Sequence, residues 1–368
     1  MIINLKTQTE LSGFYIIYEG STHLEKKGWY GIAHLMEHLV CKAFDDYQEE
    51  LDRDGVEWNA YTSNNEIVFY IKGLDEKINK WKYKLIDALS EFNVTKKDFE
   101  KEKMIVLEEY MDSFNDQSQS HYLNLHRKLF NEYSPIGLRK DLENMQYMDC
   151  LNFWELQYSN PSKIINVSKN NEYKNNTISF SNNDINKDLT YGNHKVDLEL
   201  NNQYKGKTSI MMLTPIIKED FATIDFINSM LSLGLRSPLY QEIREKRGLA
   251  YFVHCYQNRI GNQSLSTIST QTSDKNVDAV IDATKKIISN PNKYLTQERL
   301  ELVRDYYKVR KKKSDILRHS NVNKWIEPDG WSVYDILDKV NLSNIKSVYN
   351  KYYNFDNLYI SQDIKEFN

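Results

Sequence analysis

The segment Val94-Thr95-Lys96-Lys97-Asp98-Phe99-Glu100 returns in pattern as Leu295-Thr296-Gln297-Glu298-Arg299-Leu300-Glu301, an offset of 201 residues (295 − 94). At 368 residues the chain is too long for one ordinary domain. An echo spaced at more than half its length therefore predicts two copies of one unit. The element order around each copy agrees. In the first half, a strand at Phe14–Tyr18 precedes a helix from about Tyr30 to Phe44. Strands at Glu57–Thr62 and Ile67–Lys72 follow, split by the turn-prone Ser63-Asn64-Asn65, then a helix over Glu76–Phe92. Thr95 reads as the N-cap of a long helix through Tyr110. In the second half, a strand at Ser209–Leu213 leads to helices near Asp220–Leu233 and Pro238–Arg247. Strands at Leu249–Tyr256 and Ser264–Thr270 and a helix at Asn276–Ser289 complete it. The expected fold class is α+β, with two structurally similar domains, each a mostly antiparallel sheet with helices packed on one face. The alternative, that any two α+β halves look alike at this grain, stays open. The polar stretch Ser168–Asn193 reads as a linker, which divides the chain into domains 1–185 and 186–368.

Charge narrows the function classes. Lys and Arg number 48 against 52 Asp and Glu, a net charge of −4, so no basic excess draws in nucleic acid or a membrane surface. No run approaches the length of a membrane-spanning helix, and the amino terminus lacks a secretory pattern. Cys41, Cys150 and Cys255 are an odd count without metal-ribbon spacing, which fits a reducing compartment; the expected location is the cytoplasm.

The chemistry concentrates in Gly31-Ile32-Ala33-His34-Leu35-Met36-Glu37-His38-Leu39-Val40. On a helix, Ile32, Leu35, Met36 and Leu39 make one apolar stripe, and His34, Glu37, His38 and Cys41 share the opposite face. Two imidazoles one turn apart suit zinc, and Glu37 can reach the remaining coordination position, where water sits. A solvated polar face that happens to carry two histidines is the bland alternative. A catalytic zinc site needs a third protein ligand. On the later helix, Glu102 and Glu109 lie seven residues apart and share a face with Ile105 and Val106, where unpaired carboxylates are costly to bury. Glu108 points about 100° away from Glu109. Glu109 is therefore the expected ligand, with one zinc ion per chain, and Glu102 a group that orients the ligands. That this face is simply exposed is the alternative.

With these residues in hand, the chain resembles the inverzincin (pitrilysin) family of zinc metallopeptidases, which includes insulin-degrading enzyme and the mitochondrial processing peptidase; it looks like a small bacterial-type member. His-x-x-Glu-His is the family's inverted motif. Glu19-Gly20-Ser21 precedes it as in the family, Asn59-Ala60-Tyr61-Thr62 matches the Asn-Ala-x-Thr strand, and Glu102 with Glu109 matches the paired glutamates. In the second half, Leu239 to Tyr251 carries the other family pattern. Read locally it is only a capped helix, with Ser237 as N-cap, Pro238 at N1 and Gly248 ending it. The resemblance implies that Arg244 and Tyr251 are the pair that contacts the substrate and the oxyanion. Arg247 is nearer Tyr251 in sequence, but the family spacing of seven favours Arg244. It also implies a peptide substrate bound as an added strand at Asn59, Ala60, Tyr61 and Thr62, cleaved in an enclosed chamber by water that Glu37 activates. Smaller members pair two chains, so a homodimer, or a heterodimer with a related chain, is expected.

The implied activity is a zinc-dependent endopeptidase, acting on small peptides or leader segments. The main rivals are a non-catalytic partner subunit and a peptide-binding protein of the same family with a structural metal. A structural zinc normally has four protein ligands, and Cys41 is the only nearby fourth.

Overall fold

The structure, a computed structural model, describes residues 1–130, 133–175, 178–181, 206–260, 263–317, 322–326 and 333–363. The 185/186 boundary, and most of the stretch expected as a linker, lie outside the described residues. Two compact units make up the chain.

The first unit holds β1 (Ile2–Lys6), β2 (Leu11–Glu19), β3 (Glu57–Thr62), β4 (Glu66–Leu74) and β5 (Lys163–Ser168). Their order is β1-β5-β2-β4-β3; β1 and β5 are parallel and every other neighbouring pair is antiparallel. Helices α1 (Ile32–Asp45), α2 (Gln48–Asp54) and α3 (Asp75–Ala88) follow the strands that precede them in sequence, and then comes the long α4 (Lys96–Asn115). After α4 the chain leaves for the second unit as α5 (Gln117–Phe130), then returns as α6 (Arg139–Asn144) and α7 (Tyr147–Gln157).

The second unit has β6 (Lys207–Ile216), α8 (Phe221–Ser232), the short α9 (Pro238–Tyr240), β7 (Ala250–Ile260) and β8 (Gln263–Ser273). It continues with α10 (Val277–Ile288), α11 (Pro291–Tyr294) and α12 (Gln297–Leu317). The short α13 (Asn323–Ile326) belongs to the first unit, and α14 (Leu342–Tyr352) and β9 (Tyr359–Gln362) close the second. Its sheet runs β7-β8-β6-β9, all antiparallel. Set β1 aside and the two sheets have one order, β5-β2-β4-β3 and β9-β6-β8-β7, with every neighbouring pair antiparallel. The two domains are therefore structurally similar, as the echo predicts.

The central strands are apolar on both sides, and both faces are covered. Phe14, Tyr15, Ile16, Ile17 and Tyr18 of β2 are all buried. The face carrying Tyr15, Ile17 and Val68 packs against Val322 and Ile326. Likewise Met211 and Leu213 of β6 meet Leu125, Leu129 and Phe130 of α5. Among the described residues, each sheet thus has several helices against one face and one helix, α13 or α5, against the other.

Several element ends differ from expectation. The helix expected to reach Phe92 stops at Ala88, where the Ser90 hydroxyl donates back to the Asp87 carbonyl at 2.6 Å and competes with the helical pattern. Pro238–Arg247 is not one α-helix: α9 runs into a π-helical turn over Gln241–Glu245. Ser237 does precede Pro238 at N1, but its hydroxyl makes no cap bond. Gly248 is left-handed, at φ 57°, as a helix-ending glycine should be.

Candidate metal centre

The helix that matters begins at Ile32, two residues later than expected, because Gly31 is left-handed at φ 102°. Any side chain there would be strained, and a Cβ would meet Leu142 at 2.9 Å. No side chain at Gly31 can cap the helix, so Glu25 does it from upstream. Its Oε1 accepts the Gly31 N–H at 3.1 Å and the Ala33 N–H at 3.0 Å. Asp141 ties the same loop down, accepting the N–H groups of Gly28 at 3.0 Å and Tyr30 at 3.2 Å. A carboxylate at a helix start also meets the positive end of its dipole. Ile32, Leu35, Met36 and Leu39 are fully buried, which turns His34, Glu37, His38 and Cys41 the other way, all half-buried.

His34 and His38 stand with ring centres 4.8 Å apart and planes at 87°. Both Nε2 atoms face Glu109 of α4, at 3.5 Å from Oε2 for His34 and 3.6 Å from Oε1 for His38. One donor atom from each of the three lies within 4.8 Å of the others, and among the described residues this is the group that converges in that way. Cys41 is not part of it. Burial, and then the neighbouring His38, push the His34 imidazole down to about 4, so it stays neutral and able to donate a lone pair at ordinary pH.

These residues fit a zinc ion. Ligand atoms at about 2.1 Å from zinc in a tetrahedron are about 3.4 Å apart, close to the 3.5 and 3.6 Å seen between imidazole and carboxylate. Two nitrogens and one oxygen leave a position open, as catalytic sites do. Behind them, the buried Glu102 brings Oε2 to 3.5 Å from the His38 Nδ1, and Lys42 stands 4.0 Å from its other oxygen. A carboxylate in that place fixes the imidazole tautomer that leaves Nε2 free. The face of α4 that carries Glu102 and Glu109 also carries the buried Val106, but Ile105, expected there too, is exposed. Glu108 is exposed.

Glu37 stands outside the converging trio. Its Oε2 accepts the Thr62 hydroxyl at 2.5 Å, and burial raises its carboxyl above the usual range, only partly offset by that bond. Thr62 ends β3, the edge strand of its sheet. The Ser63 N–H donates to the Glu66 carbonyl at 2.8 Å, which sets the phase of the β3–β4 ladder. By antiparallel alternation, Asn59 and Tyr61 bond to β4, and Trp58, Ala60 and Thr62 turn their backbone groups to the open edge. The Ala60 N–H donates to the Asn59 Oδ1 at 2.8 Å. Tyr61 is exposed.

In the second unit, the Arg244 guanidinium lies 4.6 Å from the centre of the Tyr251 ring and 4.8 Å from that of Tyr240. Arg247 is engaged elsewhere, with Nε and Nη2 on Glu242 Oε1 at 3.1 and 2.9 Å. An irregularity in the β7–β8 ladder between Ala250 and Val253 falls at Tyr251, which is 77% exposed. Sequence reasoning overlooked Glu25 and Asp141, because a carboxylate that caps a distant helix start has no local pattern.

The family model described as Insulinase (Peptidase family M16) matches residues 6–137, and the one described as Peptidase M16 inactive domain matches residues 168–307. The chain is 24% identical over 313 residues to an uncharacterized zinc protease of Rickettsia bellii, covering 78% of this chain and 75% of that one. It is 24% identical over 172 residues to a probable mitochondrial-processing peptidase subunit beta of Arabidopsis thaliana, 44% of this chain and 32% of that one. Among solved structures, a protease from Helicobacter pylori superposes with a TM-score of 0.80 at 17% identity, over 98% of this chain and 96% of that one. A chain of complex III2 from Candida albicans superposes with a TM-score of 0.73 at 11% identity, over 100% and 94%. These likenesses show the fold.

Proposed function

The chain belongs to the M16 (insulinase) family of peptidases, and on that premise we propose that it is a zinc-dependent endopeptidase whose metal is held by His34, His38 and Glu109. One observation carries the reading: three donors converge next to a half-buried carboxylate that is itself bonded to the edge strand of its sheet. When bound, zinc supplies the Lewis acidity that makes a water nucleophilic near neutral pH.

The chain's own residues do the rest. His34 and His38 present their Nε2 atoms, and Glu102 holds His38 in register. Glu37 accepts the proton of the attacking water and returns it to the leaving amine. Burial raises its basicity toward the working pH, which suits a general base, and the Thr62 bond occupies one oxygen and leaves the other free. The substrate adds as a strand along β3, using the outward backbone groups of Trp58, Ala60 and Thr62. Arg244 and Tyr251 act as donors to the oxyanion, the one charge that neither the histidines nor the glutamates can stabilise. The proposal extends to pairing with a second copy or a related chain, supported by the relative that is a processing-peptidase subunit. A cytoplasmic location is likewise proposed; among the described residues no helix is long and apolar enough to cross a membrane.

A non-catalytic partner subunit is the second reading, favoured by the description of the model over residues 168–307 as an inactive domain. Chelation separates the two. Removing metal should abolish cleavage of an unstructured peptide, and stoichiometric zinc should restore it. Metal-loaded protein that never cleaves would leave the second reading standing.

A further inference from the structure

The contacts between α1 and β3 continue past the metal centre, and those farthest from it are aromatic. Helix α1 and strand β3 run side by side in opposite directions. Glu37 meets Thr62 at one end, and the Phe44 ring centre lies 4.8 Å from that of Trp58 at the other. Seven helical residues rise about 10 Å, and four strand residues about 13 Å, so the two walls keep pace. Trp58 is half-buried, and its indole N–H is held by Gln48 at 3.3 Å. Phe44, buried, leans in turn on Trp81 and Tyr47. The indole is thus braced from behind, with part of its surface left open.

We propose that Trp58 is a specificity-determining residue, which selects peptides carrying an aromatic or large aliphatic side chain four residues from the one at the metal. The proposal rests on the reading of β3 as the strand to which substrate adds. Trp58 is one of the residues whose backbone faces the open edge, and directly opposed residues of an antiparallel pair project their side chains to the same face. A peptide residue opposite Trp58 therefore sets its side chain beside the indole. The residue opposite Thr62 lies beside Glu37. Antiparallel addition runs the peptide from the Thr62 end toward Trp58, which puts the selected residue on the carboxyl side of the cleaved bond. Cross-strand aromatic and apolar pairs are worth enough to change rates by about fivefold relative to alanine.

The test is a library of unstructured peptides cut by zinc-loaded protein, with products mapped by mass spectrometry. Aromatic and large aliphatic residues should be enriched about fivefold at the fourth position on the carboxyl side. Trp58→Ala should bring the kcat/KM ratio of matched Phe and Ala peptides at that position close to one, and Trp58→Phe should restore most of it. Cleavage that proceeds with no preference three to five residues from the bond overturns the subsite and leaves the peptidase reading intact. Should loaded protein cut nothing, the peptidase reading fails. The subsite is then judged by binding of the same Phe and Ala peptides to Glu37→Gln protein, where equal affinities would overturn it.

Discussion

Which of two adjacent carboxylates faces the histidines decides the chemistry at the residue scale. Glu109 has both oxygens within 3.6 Å of an imidazole nitrogen, and Glu108 is exposed on another side of α4. Glu109→Gln should therefore abolish zinc binding and Glu108→Gln should keep it, as metal analysis of the purified variants will read. Metal loss in the Glu108 variant alone would contradict the assignment. Helical arithmetic made this choice legible, because a residue seven positions from Glu102 has to share its face. The choice of Arg244 over Arg247 was not legible from local residues. The structure places Arg247 on Glu242, an ion pair that no spacing rule announces, and Arg244 beside Tyr251, an arrangement that supports the proposed choice. A second prediction concerns acid stability. Burial pushes His121 and His126 down to about 3 from an ordinary 6.5. Below 6.5 the unfolded chain binds protons that these two histidines refuse in the folded one, so their contribution to stability falls as pH drops through that window and is exhausted near 3. Denaturant midpoints should decline from about pH 7 to about pH 5, and His126→Phe should lessen the decline. An unchanged decline in that variant would show that His126 is not a source of it.

Helix starts and ends govern what the elements can position. Glu25 supplies the cap that Gly31 cannot, and in doing so sets the phase and entry angle of α1 and of both its histidines. Glu25→Ala should cost about 1–2 kcal/mol of stability, with Glu25→Gln recovering part of it, as urea unfolding will measure. No loss in the alanine variant would mean that the cap is dispensable. Some caps could be read in advance. Thr95 and Asp98 bond reciprocally at the start of α4, the hydroxyl accepting the Asp98 N–H at 3.2 Å and the carboxylate accepting the Thr95 N–H at 3.1 Å. Other features could not. The π turn over Gln241–Glu245 depends on hydrogen bonds shifted by one residue within an ordinary helical composition. Strands β1 and β5 are short, and their parallel pairing joins residues more than 150 positions apart, so neither showed by itself.

At the scale of the whole molecule, duplication was legible and exchange was not. The echo at residues 94 and 295 marks corresponding long helices, α4 and α12, and the shared strand order confirms two units of one design. Nothing in the residues of α5 says that it covers the second sheet, nor in those of α13 that it belongs with the first, because the partners that bury them lie far off in sequence. On the proposed reading, function at this scale depends on where the Arg244–Tyr251 pair acts. If it serves the metal centre of a partner chain, mixing inactive Glu37→Gln with inactive Tyr251→Phe should regenerate one good site per mixed dimer and restore activity. Failure despite proven subunit exchange would contradict that sharing. The central claim, that a zinc held by His34, His38 and Glu109 is put to work by Glu37, is tested most directly by one paired measurement. Zinc content and peptide turnover are determined on the same preparations of wild type and Glu37→Gln. The account predicts equal zinc in both, with turnover in the wild type and almost none in the variant; a variant that cleaves at the wild-type rate would contradict it.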